Sequence, residues 1–129
     1  MPDTAQPDRD LTRYVVLLVD YADPAKRGWS DFDEAEQREV MAQHETFARA
    51  VTAHERVRMV AGEALAGADD ATVLRRQGDR TILTEGCYAE AVEQIGGLYL
   101  IDAPDLDTLV GLLELMPTYV MEIRPTLDV

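Results

Sequence analysis

"RYVVLLVDY" runs from Arg13 to Tyr21 and joins β-branched, aromatic and leucine residues in one unbroken block. Such a block reads as a β-strand. Successive strand side chains point to opposite faces, so Tyr14, Val16 and Leu18 share one side and Val15, Leu17 and Val19 the other. Both sides are apolar, and both need cover from water.

The segments that follow supply one cover. "YADPAKRGW" is loop by its Pro24 and Gly28, and Ser30 or Asp31 can cap a helix in "SDFDEAEQREVMAQHETFARAVTAHE". Phe32, Val40, Met41, His44, Phe47, Ala48 and Val51 recur at three- and four-residue intervals and form its apolar stripe. "VRMVAGEALA" reads as a strand, and "ATVLRRQGDRTILTEG" as a hairpin turning at Gln77-Gly78-Asp79. A short helix or turn over Tyr88–Glu93 precedes the strand "GLYLIDA". Pro104 suits the first turn of a second long helix, with Leu106, Leu109, Val110, Leu112 and Leu113 on its apolar side. Pro117 closes that helix, and "TYVMEIRP" is the last strand.

This order predicts an α+β fold, a ferredoxin-like sandwich with an antiparallel sheet, helices on one face and an extra β-hairpin. Two helices cover one face of the sheet. The other face, apolar in the first strand and in Leu98–Ile101, calls for a second copy, so the sequence predicts a homodimer with sheets apposed. Residues 1–12 form a flexible N-terminal arm and residues 13–129 one domain, in keeping with about 100–200 residues per domain.

The chain has 129 residues, 47% of them hydrophobic, and 25 acidic residues against 12 basic give a net charge of −13. That charge repels phosphate backbones and anionic lipid, which argues against nucleic-acid and membrane-surface partners. Cys87 is the single cysteine, so neither an intrachain disulfide nor a cysteine-only zinc site can form. His44 and His54 lie ten residues apart, without the spacing of a metal pair, and no metal is expected. The acidic start lacks the pattern of a signal peptide, and the apolar run Tyr14–Val19 falls short of the about 20 residues of a membrane span. A cytoplasmic location is expected.

The stretch "TEGCYAEAVEQIGGLYLID", Thr84 to Asp102, resembles the signature of the YCII-related proteins, specifically their DGPF subfamily. That pattern runs T-D-G-P-F-x-E-x-K-E-x-x-G-G-F-Y-L-I. Thr84, Gly86, Glu90, Glu93, Gly96, Gly97, Tyr99, Leu100 and Ile101 match it. "YVVLLV", "VAGEAL" and "EIRP" are similar to the family's first strand, second strand and ending. Glu85, Cys87, Tyr88 and Val92 stand where the subfamily has aspartate, proline, phenylalanine and lysine. The resemblance implies a ferredoxin-like domain that dimerises in the α/β-barrel manner. It also implies a pocket that in some relatives carries cofactor-independent chemistry, a dehydrochlorinase among them, with a histidine–aspartate pair proposed as catalytic in the wider family.

His44, in "HETF", is similar to the histidine of the family's first helix. Its type fits acid–base work near neutrality, and a carboxylate beside it would orient the ring. Glu63, next to Gly62, and Glu85, at the signature acid, are the candidate partners. Gly62 itself permits close approach of a ligand or backbone. Tyr14, Glu90, Tyr99 and Arg124 are expected to line a substrate pocket, Arg124 by attracting an anion or by pairing with Glu122. The expected function is a lyase, isomerase or cyclase that needs no cofactor and acts on a cyclic or phenolic metabolite. The alternative is a module that senses a metabolite or meets a protein partner without catalysis.

Overall fold

The structure, a computed structural model, describes residues 8, 10–86 and 95–128. Strand β1 (Thr12–Tyr21) leads through a loop into helix α1 (Glu34–Ala53) and strand β2 (Arg58–Ala64). A hairpin of β3 (Thr72–Gln77) and β4 (Arg80–Glu85) follows, then β5 (Gly97–Ala103), α2 (Leu106–Leu113) and β6 (Tyr119–Pro125). The main sheet is antiparallel in the order β2-β5-β1-β6. Two β-α-β units are thereby interleaved, as expected for a ferredoxin-like fold. Thr12 already belongs to β1, and Asp10 holds Arg56 by an ion pair of 2.9 Å.

One face of the sheet meets both helices. Tyr14, Val16 and Leu18 of β1 and Ile101 and Ala103 of β5 form one core with Phe47 and Val51 of α1 and Leu109 and Leu113 of α2. On α1 the stripe narrows to Val40, His44, Phe47 and Val51, while Met41 and Ala48 turn to solvent. Both helix starts lie inside the expected ones. Asp33, not Ser30 or Asp31, caps α1: its carboxylate accepts the Glu36 amide at 2.8 Å and Glu36 accepts the Asp33 amide at 3.1 Å. The Asp31 carboxylate is taken by the amides of Arg27 and Gly28 instead. Pro104 precedes α2, and Asp105 caps that helix through the Thr108 amide at 2.7 Å.

Two strands carry a one-residue bulge. In β1 the register shifts between Leu18 and Asp20, and in β2 between Met59 and Ala61. Each extra residue reverses the faces of everything beyond it.

On the helix-free face Val15 and Leu17 lie beside Leu98 and Leu100, all half-buried. The same face holds a buried ion cluster. Asp102, 1% exposed, accepts Arg13 Nε at 2.7 Å and Nη2 at 3.0 Å, and Arg58 Nη2 at 3.1 Å. The hairpin pairs with no strand of the main sheet. It turns at Gly78-Asp79, with Gly78 at φ +57°, a conformation that glycine adopts without strain. Among the described residues, no helix is long and apolar enough to cross a membrane.

Candidate functional site

His44 sits one turn from Phe47 on α1 and reaches the sheet where two tyrosines end on the helix side. Its Nδ1 lies 3.2 Å from the Tyr99 hydroxyl and its Nε2 lies 2.8 Å from the Tyr119 hydroxyl. Tyr99 comes from the middle of β5 and Tyr119 from the first residue of β6. Both ring nitrogens are therefore occupied by phenols. A neutral imidazole has one N–H and one bare nitrogen, so it donates to one tyrosine and accepts from the other.

Local sequence explains each placement. Gly62 is paired with Tyr99 across β2 and β5, and the tyrosine ring lies over it. A Cβ at Gly62 would stand 2.7 Å from Tyr99 Cδ1, so glycine is needed for the ring to lie flat there. The close approach expected at this glycine is that of an aromatic ring. The β1 bulge then turns Tyr21 to the helix side, opposite Tyr119, with ring centroids 5.3 Å apart. Phe32 closes on Tyr21 at 4.8 Å.

Burial sets the protonation states. It lowers the His44 pKa below its ordinary 6.5 and raises that of Tyr99 above 10.0. Tyr119 is pushed up to about 12, first by burial and then by the neighbouring Tyr21 and Tyr99. Near neutrality the site is thus an uncharged imidazole between two protonated phenols.

Tyr119 also faces a cleft of about 690 Å³, whose walls include Tyr21, Asp20, Lys26, Arg27 and Trp29. Tyr21 and Asp23 also line a smaller cavity of about 260 Å³ beside Phe32, Val40 and Gln43. Lys26 is engaged there by Glu36 at 2.8 Å and stands over the Phe32 ring at 4.9 Å. Tyr119, whose hydroxyl meets His44, is thus also one of the residues that line the larger cleft.

The two expected carboxylate partners lie elsewhere. Glu63 pairs with Leu98 and so shares the helix-free face, with the sheet between it and His44. Plain alternation from Met59 would have put Glu63 on the helix side; the extra residue in β2 reverses it. Glu85 is exposed at the base of the hairpin, opposite Thr72. Tyr14 is buried in the core, away from the cleft walls. Arg124 is exposed on the helix-free face and pairs with Glu122 at 3.0 Å. Tyr99 joins His44. Glu90, with Cys87, Tyr88, Val92 and Glu93, lies outside the described residues.

Tyr119 and Tyr21 were not singled out from sequence. For Tyr119 a signal existed: it alternates with Met121 and Ile123, which puts a tyrosine at the end of an apolar face, where its hydroxyl needs a partner. Among the described residues, no cluster of His, Cys, Asp and Glu side chains could hold a metal ion.

A search among curated proteins finds no match. The model of the YCII-related domain matches residues 13–125, from the start of β1 to the end of β6, and so contains His44 and both of its tyrosines. The chain belongs to the YCII-related family.

Proposed function

We propose that the protein is a cofactor-independent acid–base enzyme for a small cyclic or phenolic metabolite, with His44 as the base and Tyr119 as its contact with the ligand. The observation that supports it most is the His44 Nε2 to Tyr119 hydroxyl bond of 2.8 Å, made by a tyrosine that lines the large cleft. In this reading Nδ1–H donates to Tyr99 and the bare Nε2 accepts from Tyr119. A ligand O–H or C–H gives its proton to the Tyr119 oxygen while the Tyr119 proton passes to Nε2. The imidazolium so formed donates to both tyrosine oxygens. Return of the proton to another ligand atom completes an isomerisation, and its delivery to a leaving group completes a lyase step. A histidine whose pKa lies below 6.5 is deprotonated at neutral pH, as a base must be.

We assign the chain to the DGPF subfamily on the T-x-G and G-G-x-Y-L-I matches, and to the cytoplasm on its lone cysteine. We also infer a homodimer, in the α/β-barrel manner, through the helix-free face with Val15, Leu17, Leu98 and Leu100.

The test starts with a ligand screen of phenols and cyclic acids, read by thermal shift. With a hit in hand, Tyr119→Phe and His44→Gln should each keep ligand binding and lower turnover by about 10²–10⁴. Turnover unchanged in both variants overturns the reading. One feature favours the second reading, a ligand-sensing module: His44 hydrogen-bonds to two phenols, and neither is a carboxylate that would hold an imidazolium. A sensor would bind the same ligand with no product formed, and His44→Gln would alter affinity alone.

A further inference from the structure

The cleft beside Tyr119 combines an open apolar lining with one uncommitted charge. Trp29, Leu65 and Ile95 all line it, and they are 44%, 45% and 45% exposed. Large apolar side chains scattered singly over a surface need no explanation, but three gathered in one concavity suit a ligand ring. The volume of about 690 Å³ lies within the range of small-molecule pockets, about 300–1,000 Å³. Rings also lead from Trp29 to the site. The centroids are 5.9 Å apart for Trp29 and Phe32, 4.8 Å for Phe32 and Tyr21, and 5.3 Å for Tyr21 and Tyr119.

Four charged residues share these walls: Asp20, Asp23, Lys26 and Arg27. Three are engaged within the chain. Asp20 accepts the Tyr21 amide at 2.8 Å and Asp23 the Ala25 amide at 2.9 Å. Lys26 holds Glu36 at 2.8 Å and donates to the Asp31 carbonyl at 3.0 Å. Arg27 differs. Its side chain is exposed, and among the described residues its guanidinium makes no hydrogen bond or ion pair. Its backbone is nevertheless fixed, because the Arg27 and Gly28 amides donate to the Asp31 carboxylate at 2.8 and 3.1 Å. Those two amides are the first causes that hold the Asp31 carboxyl below its usual range, and the Arg27 charge is the least of them. A pinned loop thus presents an arginine fork to the cleft, with its partner left to be supplied.

We propose that the ligand of this cleft is an aromatic monocarboxylate, its carboxylate held by Arg27 and its ring packed on Trp29. A neutral phenol would leave Arg27 uncommitted. A phosphate dianion would bring its second charge against Asp20 and Asp23, on a chain whose net charge is already −13. One carboxylate answers one guanidinium, and the planar fork matches it with two parallel bonds. The inference rests on the reading of this cleft as the ligand site. It adds the charge of the ligand and the residue that selects it.

Trp29 is the chain's one tryptophan, so its fluorescence reports on this cleft and no other. Titrating the full chain with para-hydroxybenzoate and with para-hydroxybenzamide, its neutral counterpart, tests the proposal. The parent should bind the acid more tightly by about tenfold or more, the effect expected of a charge-assisted bond, and added salt should shrink the difference. Arg27→Gln, at an exposed side chain, should match the parent in circular dichroism and bind both probes alike. A parent that binds the two alike, or binds neither, overturns the proposal, as does a preference that survives in Arg27→Gln. His44→Gln should keep the preference; its loss there would place the carboxylate at the imidazole and overturn the assignment to Arg27. The catalytic reading fails separately, on turnover that is unchanged in Tyr119→Phe and His44→Gln, while the preference for the acid stands.

Discussion

Gly62→Ala is the smallest change that reaches the site without altering one of its polar atoms. The new methyl would stand 2.7 Å from Tyr99 Cδ1 and 2.8 Å from Cε1. Non-bonded carbons rest about 3.5–4.0 Å apart, so the ring has to retreat by roughly 1 Å. Phe47 limits that retreat, with its ring centroid 5.4 Å away. Positive φ among the described glycines is confined to Gly78 and Gly86, so alanine can adopt the backbone at Gly62. The unfolded chain then returns about 0.4–1 kcal/mol in favour of the variant. Overpacking costs about 1–3 kcal/mol, so the net loss runs from about zero to about 2.6 kcal/mol. Urea unfolding of the parent, Gly62→Ala, Tyr99→Ala and the double variant measures it. With the ring gone the methyl has nothing to strike and the unfolded-chain gain is the same in both backgrounds, so the two changes should be non-additive by about 1–3 kcal/mol. An additive pair refutes the idea that glycine is present for the ring.

Other perturbations separate the remaining contributions. Because burial lowers the folded His44 pKa below 6.5, the unfolded chain binds the extra proton first; stability should be complete above that value and decline as pH falls through it. Urea midpoints between neutrality and mildly acidic pH should show this decline in the parent and lose it in His44→Gln, and an equal decline in both would contradict the assignment. Asp102→Asn removes the buried carboxylate that Arg13, 8% exposed, shares with Arg58 and should cost clearly more than Glu122→Gln, which at an exposed pair should cost about 1 kcal/mol or less. Thermal unfolding distinguishes the two, and comparable losses would mean that burial is not what matters. Asp33→Ala removes the α1 cap and should cost about 1 kcal/mol, checked by the loss of helix signal at a lower temperature.

The β-strands were largely legible because their patterns are local. "GLYLIDA" is β5 to the residue, and the Gly78-Asp79 turn lies within the predicted one. The α1 stripe was read too widely. Met41 and Ala48 fit three- and four-residue spacing, but one sheet face covers only the narrower row through His44. The capping residue was misread because Ser30, Asp31 and Asp33 are all good caps, and only the partners of the Asp31 carboxylate show that it serves the preceding turn. The hairpin pairing was legible, but the register of the main sheet and its two bulges were not. A bulge is a property of two strands together, and neither Val19 nor Val60 differs in kind from its neighbours.

Those two bulges decide which groups surround His44. The one in β1 turns Tyr21 inward against Tyr119, where it lines both cavities. The one in β2 turns Glu63 outward and leaves Gly62 inward, open to the Tyr99 ring. Had Glu63 stayed on the helix side, its negative charge near the imidazole would favour the protonated form and raise the His44 pKa. With phenols in its place, burial acts unopposed and the pKa falls. A carboxylate-supported histidine holds a positive charge in the resting state; a phenol-supported one rests neutral and can take a proton from a ligand. Placing the extra residue in β2 therefore leaves His44 resting neutral between two phenols, the state that the base of the proposed function requires.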